Sequence, residues 1–263
     1  MAATAPAAGA TPEIDAATLT ERRERVFLVL AGFFLCAMTL LNVVGITRFV
    51  QLGPMALAVG VLPYPLTFLC TDLISELYGR RRANFLVWVG FTLNFFILAM
   101  LWLGNALPGV PAEQQPPWQA IQLAEDIMLP NGEIISGSVE LFHLVYACTS
   151  GAVFASMMAY IAAQWCDVQL FHFFKRLTKG RHLWLRNNFS TLTSQMVDSF
   201  MVITVTFGAT FLAGGISVAA MLVLMGSNYL FKMFVALADT LPFYYLTGRL
   251  KRYLQIDTMH VYE

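Results

Sequence analysis

V-F-L-V-L-A-G-F-F-L-C-A-M-T-L-L-N-V-V-G, residues 26–45, carries no charged side chain. At 1.5 Å per residue, a helix of about 20 residues crosses the ~30 Å hydrocarbon core of a bilayer. Glu21-Arg22-Arg23-Glu24-Arg25 stands immediately before it. A basic start followed by an apolar run also opens a signal peptide. This run is longer than a typical signal core, however, and no A-x-A cleavage site follows. It reads as a first transmembrane span. The rest of the chain has the same character. Of 263 residues, 58% are hydrophobic and only 12% charged, and 16 basic residues balance 16 acidic ones. Mean hydropathy is +0.65. Soluble domains carry about 25% charged residues, so this composition excludes an ordinary soluble fold. It also lacks the basic excess of a nucleic-acid binder. Cys36, Cys70, Cys148 and Cys166 are scattered in or beside apolar runs, as small buried hydrophobes rather than a metal or disulfide framework.

Working outward, the apolar segments predict an all-α polytopic membrane protein with six transmembrane helices. The expected spans are 26–45, 54–78, 83–104, 140–165, 190–213 and 228–247. Pro63 and Pro65 predict a kink or break in the second. The apolar stretch 216–248 is too long for one straight span, and Gly226-Ser227 is the expected break, leaving a short helix over 216–225. Residues 1–25 read as a disordered tail and 251–263 as a second tail, flanking a membrane domain over 26–250. The polar, proline-rich loop 105–139 has room for a short amphipathic helix near Trp118–Met128.

Charge placement tests this topology independently, because cytoplasmic loops of membrane proteins are enriched in Lys and Arg. With the N-terminus inside, 14 of 16 basic residues fall inside, and the loop 105–139 contains none. The exceptions are Arg48, in an outer turn, and Lys232, within a span. Both termini are therefore expected in the cytoplasm of a multi-pass protein of a bacterial inner membrane.

Charges inside hydrocarbon cost on the order of 2.5–3.5 kcal/mol each even on insertion scales, so they mark function or a partner. Counting from the nearest inner arginine, Asp72 lies about 12 Å deep, Asp198 about 18 Å and Asp239 about 15 Å. Substrate sites of secondary transporters sit at such depth, beside broken helices. Glu76 lies nearer the interface, where an i,i+4 pair with Arg80 would explain it. Lys232 shares a helix face with Asp239 and would neutralise either that residue or an Asp on a neighbouring span. Gln195 is one turn from Asp198, and a carboxylate beside an amide suits a planar, hydrogen-bonding solute. Asn42 and Asn94 read as interhelical hydrogen-bonding groups, Asn188 as a helix N-cap, and His143 as a structural histidine. Gly151, Ala155, Ala159 and Ala163 recur every four residues, a spacing that lets helices approach closely, within the bundle or across a homodimer. No nucleophile elbow, zincin, Walker or dinucleotide motif is present, so no enzyme, metal or cofactor is expected and ATP hydrolysis would require a partner.

Three blocks then stand out: P-L-T-F-L-C-T-D-L-I-S-E-L-Y-G at 65–79; a run holding A-Y-I-A-A-Q-W-C-D-V at 159–168, L-W-L-R-N-N-F-S-T at 183–191 and S-Q-M-V-D-S at 194–199; and Y-L-F-K-M-F-V-A-L-A-D-T at 229–240. In this order they resemble the signature of the queuosine precursor transporter family, also called the vitamin uptake transporter family. The resemblance implies an importer of 7-deazaguanines, 7-cyano-7-deazaguanine or its aminomethyl relative, feeding tRNA queuosine modification without itself binding nucleic acid; the motifs do not separate these from queuine or the free nucleoside. It implies a fold similar to the substrate-binding subunits of energy-coupling-factor transporters. A subunit dependent on a separate ATPase module is the alternative within transport. The family's polar positions map onto Asp72, Glu76, Gln164, Asp167, Asn187, Asn188, Gln195, Asp198, Lys232 and Asp239. Of these, Asp72, Glu76, Gln164, Asn188, Gln195, Asp198, Lys232 and Asp239 are the expected substrate-binding residues.

The topology is directly measurable. A Gln114→Cys variant is expected to react with an impermeant thiol reagent in whole cells, and a Lys179→Cys variant to be protected. Equal labelling of the two would overturn the assignment.

Overall fold

A computed structural model of the chain describes residues 15–177 and 183–256. Helix α1 (Ala16–Val43) leads into a tight hairpin of β1 (Phe49–Leu52) and β2 (Met55–Ala58). A 3-10 turn (Val59–Val61), α2 (Tyr64–Tyr78) and α3 (Arg80–Ala106) follow. The connecting loop carries β3 (Ala120–Gln122), β4 (Ile127–Met128), β5 (Ile134–Ile135) and β6 (Ser138–Glu140). The chain continues through α4 (Leu141–Leu177), α5 (Leu183–Leu212), α6 (Val218–Ala238) and α7 (Thr240–Leu254). Five helical segments among the described residues are long and apolar enough to cross a membrane: Ala16–Val43, Arg81–Ala106, Leu141–Ala163, Leu192–Leu212 and Val218–Leu254. The protein is a polytopic, mostly helical membrane protein.

Four expectations need correction. The first helix begins at Ala16, so residues 16–25 are not a disordered tail. An i,i+4 pair between Glu21 and Arg25 supports this turn. Arg23 also donates to the Leu254 and Gln255 carbonyls, at 3.2 and 3.1 Å, tying it to the end of α7.

Second, residues 54–78 do not form one helix. Gly53 adopts φ +59° and turns the chain into the antiparallel β1–β2 ladder, and the helix starts only at Tyr64. The prolines explain the late start. Pro63 sits at the N-cap and Pro65 in the first turn, where a missing N–H costs nothing. At 15 residues, α2 is shorter than a membrane-crossing helix.

Third, α6 runs straight through Gly226-Ser227, and the break falls at Asp239. Ser227 is buried and its Oγ accepts from the Ala56 N–H of β2 at 3.2 Å, so that point is held by tertiary contact. Pro242 stands in the first turn of α7. Its ring would clash with the carbonyl four residues earlier if α6 simply continued.

Fourth, the loop between α3 and α4 contains paired strands rather than an amphipathic helix: β3 pairs with β6 and β4 with β5, both antiparallel. The fold is thus not purely α.

Packing sets strand β2 of the hairpin against α6, while β1 stays mostly exposed. Leu57 of β2 is 1% exposed and packs on Phe231 and Val235 of α6, with Val50, Met55 and Phe68 around them. Irregular backbone at membrane depth is tolerated only where protein buries it or where it lines a cavity. Here the ladder satisfies most of its polar groups and Ser227 takes another. A second cluster joins α1, α2 and α3 through Phe34, Cys70, Ile74 and Leu86. Buried Asn42 donates to Asn94 Oδ1 at 3.0 Å across α1 and α3, as the sequence suggests. Ala155 and Ala159 are fully buried in the protomer, so that much of the small-residue stripe serves internal packing.

One end of the bundle gathers three chain regions. Arg82, after α2, pairs with Glu24 of α1 at 3.1 Å. Tyr78 donates to the Arg23 carbonyl at 2.8 Å. Lys251 of α7 pairs with Glu76 of α2, a partner different from the expected Arg80.

The hairpin's return requires an unusually close backbone approach. Gly60 N–H donates to the Gly45 carbonyl at 3.0 Å. A Cβ on Gly60 would lie 2.6 Å from Gly45 Cα and 2.7 Å from the Leu41 carbonyl oxygen. Both neighbours are backbone and cannot move aside. Gly60→Ala is expected to destabilise the protein by about 1–3 kcal/mol, the usual cost of overpacking. The thermal unfolding midpoint in detergent checks it, and an unchanged midpoint would refute the close approach.

Candidate substrate site

A cavity of about 330 Å³ opens in the middle of the bundle. Its walls come from α1, the β1–β2 hairpin, the 3-10 turn, α2, α4, α5 and α6, with Val87 of α3. The broken second segment therefore has a positional effect. It leaves the space that a continuous helix would fill, and it puts Phe49, Ala56 and Ala58 on the wall.

Most of the lining is apolar, but two charges meet in it. Asp198 of α5 and Lys232 of α6 line the cavity and form an ion pair through Asp198 Oδ2. The Lys232 side chain is 5% exposed and that of Asp198 is 17% exposed. Such a pair persists at this burial only if each charge compensates the other and the remaining valences are met. Tyr64, at the first position of α2, helps both. The Lys232 ammonium lies 4.7 Å from its ring centroid, a cation–π contact. Its hydroxyl donates to Gln195 Oε1 at 3.2 Å, and its ring meets Phe68 edge-on at 4.5 Å. The late start of α2 thus sets the aromatic lid of the pair.

The pair leaves hydrogen-bonding capacity facing the cavity. A carboxylate accepts through two oxygens and an ammonium donates three protons. One contact joins them, so further acceptor and donor positions remain side by side. Asn228 and Thr206 extend the polar wall. Both line the cavity, and the Asn228 Oδ1 and Thr206 Oγ1 atoms are buried without a hydrogen-bond partner in the protein.

The structure sorts the residues singled out from the sequence. Asp198 and Lys232 are brought together in the cavity. Gln195 does not line it and acts through Tyr64 instead. Lys232 pairs with Asp198 rather than with Asp239, its neighbour on the same helix. Asp72 is exposed on α2 and Asp239 stands at the α6–α7 break, and neither lines the cavity. The two are charged neighbours of one another. Glu76 is engaged by Lys251. The side chains of Gln164 and Asn188 lie outside the described residues. Phe68 lines the cavity, whereas Phe200 is exposed away from it. His143 stands in the first turn of α4, its Nδ1 3.0 Å from Asn105 Oδ1 and its Nε2 3.4 Å from Glu133 Oε2.

Sequence reasoning missed Tyr64, Thr206 and Asn228. A signal existed for two of them. Asn228 is one turn before Lys232, and Thr206 is two turns after Asp198, each on the face of its charged partner. Tyr64 carried no such signal, because its role depends on where the second segment becomes helical.

The profile of the family described as "Putative vitamin uptake transporter" matches residues 58–247, which contain the hairpin's end and all the charged groups of the cavity. A curated relative from Bacillus subtilis (strain 168), described as "Probable queuosine precursor transporter", is 28% identical over 206 residues, covering 78% of this chain and 77% of its own. No solved structure matches. The match spans most of the membrane domain and makes this chain a member of the vitamin uptake transporter family.

Proposed function

We propose that the protein imports queuosine precursors, 7-cyano-7-deazaguanine or its aminomethyl relative, across a bacterial inner membrane, and that the base binds in the central cavity against the Asp198–Lys232 pair. The observation that carries this reading is the pair itself, two charges of opposite sign lining one mostly apolar cavity. A guanine-like edge presents a ring N–H and an exocyclic amine side by side, with a carbonyl next to them. The carboxylate accepts from the two donors and the ammonium donates to the carbonyl. Lys232 thereby takes the part that the sequence suggests for Gln195. Apolar and aromatic walls, Phe68 and Tyr64 among them, suit the faces of a planar ring. The relative's name and the family's name support the substrate class.

The topology belongs to the same proposal. The β1–β2 hairpin, the 3-10 turn and α2 together make a sixth crossing, so that both termini face the cytoplasm. The meeting of Arg23, Arg82 and Lys251 at one end of the bundle supports this parity. Transport by the chain alone is the favoured mode. A requirement for a co-expressed ATPase module would replace it by the substrate-binding-subunit reading.

Stability and function are separable at the pair. Asp198→Ala leaves an uncompensated buried ammonium and is expected to destabilise the protein by about 3–5 kcal/mol. The double variant Asp198→Asn/Lys232→Met removes both charges and is expected to recover most of that stability. Unfolding midpoints in detergent measure both. An equal loss in the two proteins would show that the charges do not compensate one another.

The double variant also tests transport. Cells producing the wild-type chain alone are expected to take up labelled 7-cyano-7-deazaguanine. The folded double variant is expected to bind it about 10–100-fold more weakly, the equivalent of about 1.5–3 kcal/mol for hydrogen bonds to charged groups. Wild-type uptake by the double variant would remove the pair from the substrate site.

A further inference from the structure

The wall formed by α5 and α6 is more than the ion pair. Asp198, Val202 and Thr206 of α5 and Lys232, Asn228 and Leu224 of α6 all line the cavity at one-turn spacing, and the Asp198–Lys232 pair joins the two helices. From the pair at one end, Asn228 is about 6 Å along α6, and Thr206 about 12 Å along α5. Asn228 is 7% exposed and Thr206 4% exposed. Asn228 Oδ1 and Thr206 Oγ1 have no partner within the protein. Native structures rarely leave buried polar atoms unpaired, because each lost hydrogen bond costs on the order of 1–3 kcal/mol. Among the described residues Ser199, Thr204 and Thr247 also bury an unpartnered hydroxyl, but only Asn228 and Thr206 of this set belong to the cavity wall.

We propose that Asn228 and Thr206 form a second, uncharged subsite that reads the edge of the solute opposite to the one held by Asp198 and Lys232. This rests on the importer reading above and sharpens its specificity. Asn228 Oδ1 is an acceptor awaiting a donor, and the Thr206 hydroxyl can donate. A free 7-deazaguanine carries the matching adjacent pair on its far edge. The five-membered-ring N–H donates to Asn228, and the neighbouring ring nitrogen of the six-membered ring accepts from Thr206. A substituent on that N–H nitrogen, as in any nucleoside, removes the donor and places bulk against a wall that offers only a buried carbonyl oxygen. The chain therefore selects the free base over its nucleoside. A site built to pair a substrate N–H discriminates strongly against analogues lacking it, since its own buried group is left unpaired.

The test uses the full chain in detergent, with 7-cyano-7-deazaguanine and its 9-methyl derivative as probes and calorimetric affinity as readout. Wild type is expected to bind the 9-methyl derivative at least about tenfold more weakly than the parent, as befits one lost hydrogen bond at a buried acceptor. Asn228→Ala is expected to weaken the parent by about the same factor and to bring the ratio of the two affinities close to one. Thr206→Val, nearly isosteric, is expected to weaken the parent several-fold. Equal binding of both probes by wild type, which needs no variant to fold, would overturn the subsite while leaving the importer reading intact. So would an Asn228→Ala protein that weakens both probes equally. If wild type bound neither probe, the importer reading and the subsite would fall together.

Discussion

The ion pair between Asp198 and Lys232 is the constraint around which the membrane domain is arranged. Neither charge is tolerable alone inside hydrocarbon, so α5 and α6 must stay in register to keep them together. Val202 and Thr206 of α5 and Leu224 and Asn228 of α6 line the same cavity at helical spacing from the pair. The pair also explains the position of Tyr64, whose ring covers the ammonium and whose hydroxyl is fixed by Gln195. The pair is both a structural clamp and the most polar surface of the cavity.

The second constraint is the backbone. A continuous second helix would satisfy its own peptide groups but fill the cavity. The chain instead folds residues 49–58 into a hairpin whose polar groups pair across two short strands. This works only because Leu57 is buried on α6 and Ser227 accepts an N–H from β2. Gly45 and Gly60 then allow the return, since no side chain fits between those backbones. The cavity is thus the direct product of a broken segment.

The remaining charges are gathered at the opposite kind of environment, the end of the bundle. Arg23, Glu24, Glu76, Arg82 and Lys251 connect α1, α2, α3 and α7 there. Exposed pairs of this sort contribute little stability individually. Their effect is to hold the ends of four helices beside one another, so that the apolar helices above are packed around a common centre.

Much of this is legible in the residues as a string. Long uncharged runs require membrane helices whatever their packing, because an unpaired peptide group cannot stand in lipid. The asymmetry of Arg and Lys suggests which loops share a side, and the cost of a buried charge singles out Asp72, Asp198, Lys232 and Asp239 together, without coordinates. The prolines at 63 and 65 foretell a break in the second segment. What they do not encode is the form of the break, because a hairpin is stable there only against α6. The interruption of the last segment was misplaced for the same kind of reason. Gly226 permits a bend, yet Ser227 is held by β2 and the chain turns at Asp239, ahead of Pro242. Partner choice was likewise beyond the string. Depth alone cannot distinguish Asp198 from Asp239 as the partner of Lys232, or Arg80 from Lys251 as the partner of Glu76, since those choices depend on which helices become neighbours. The same packing brings Asn228 and Thr206, which the sequence shows only as polar positions in apolar helices, to the wall of the cavity.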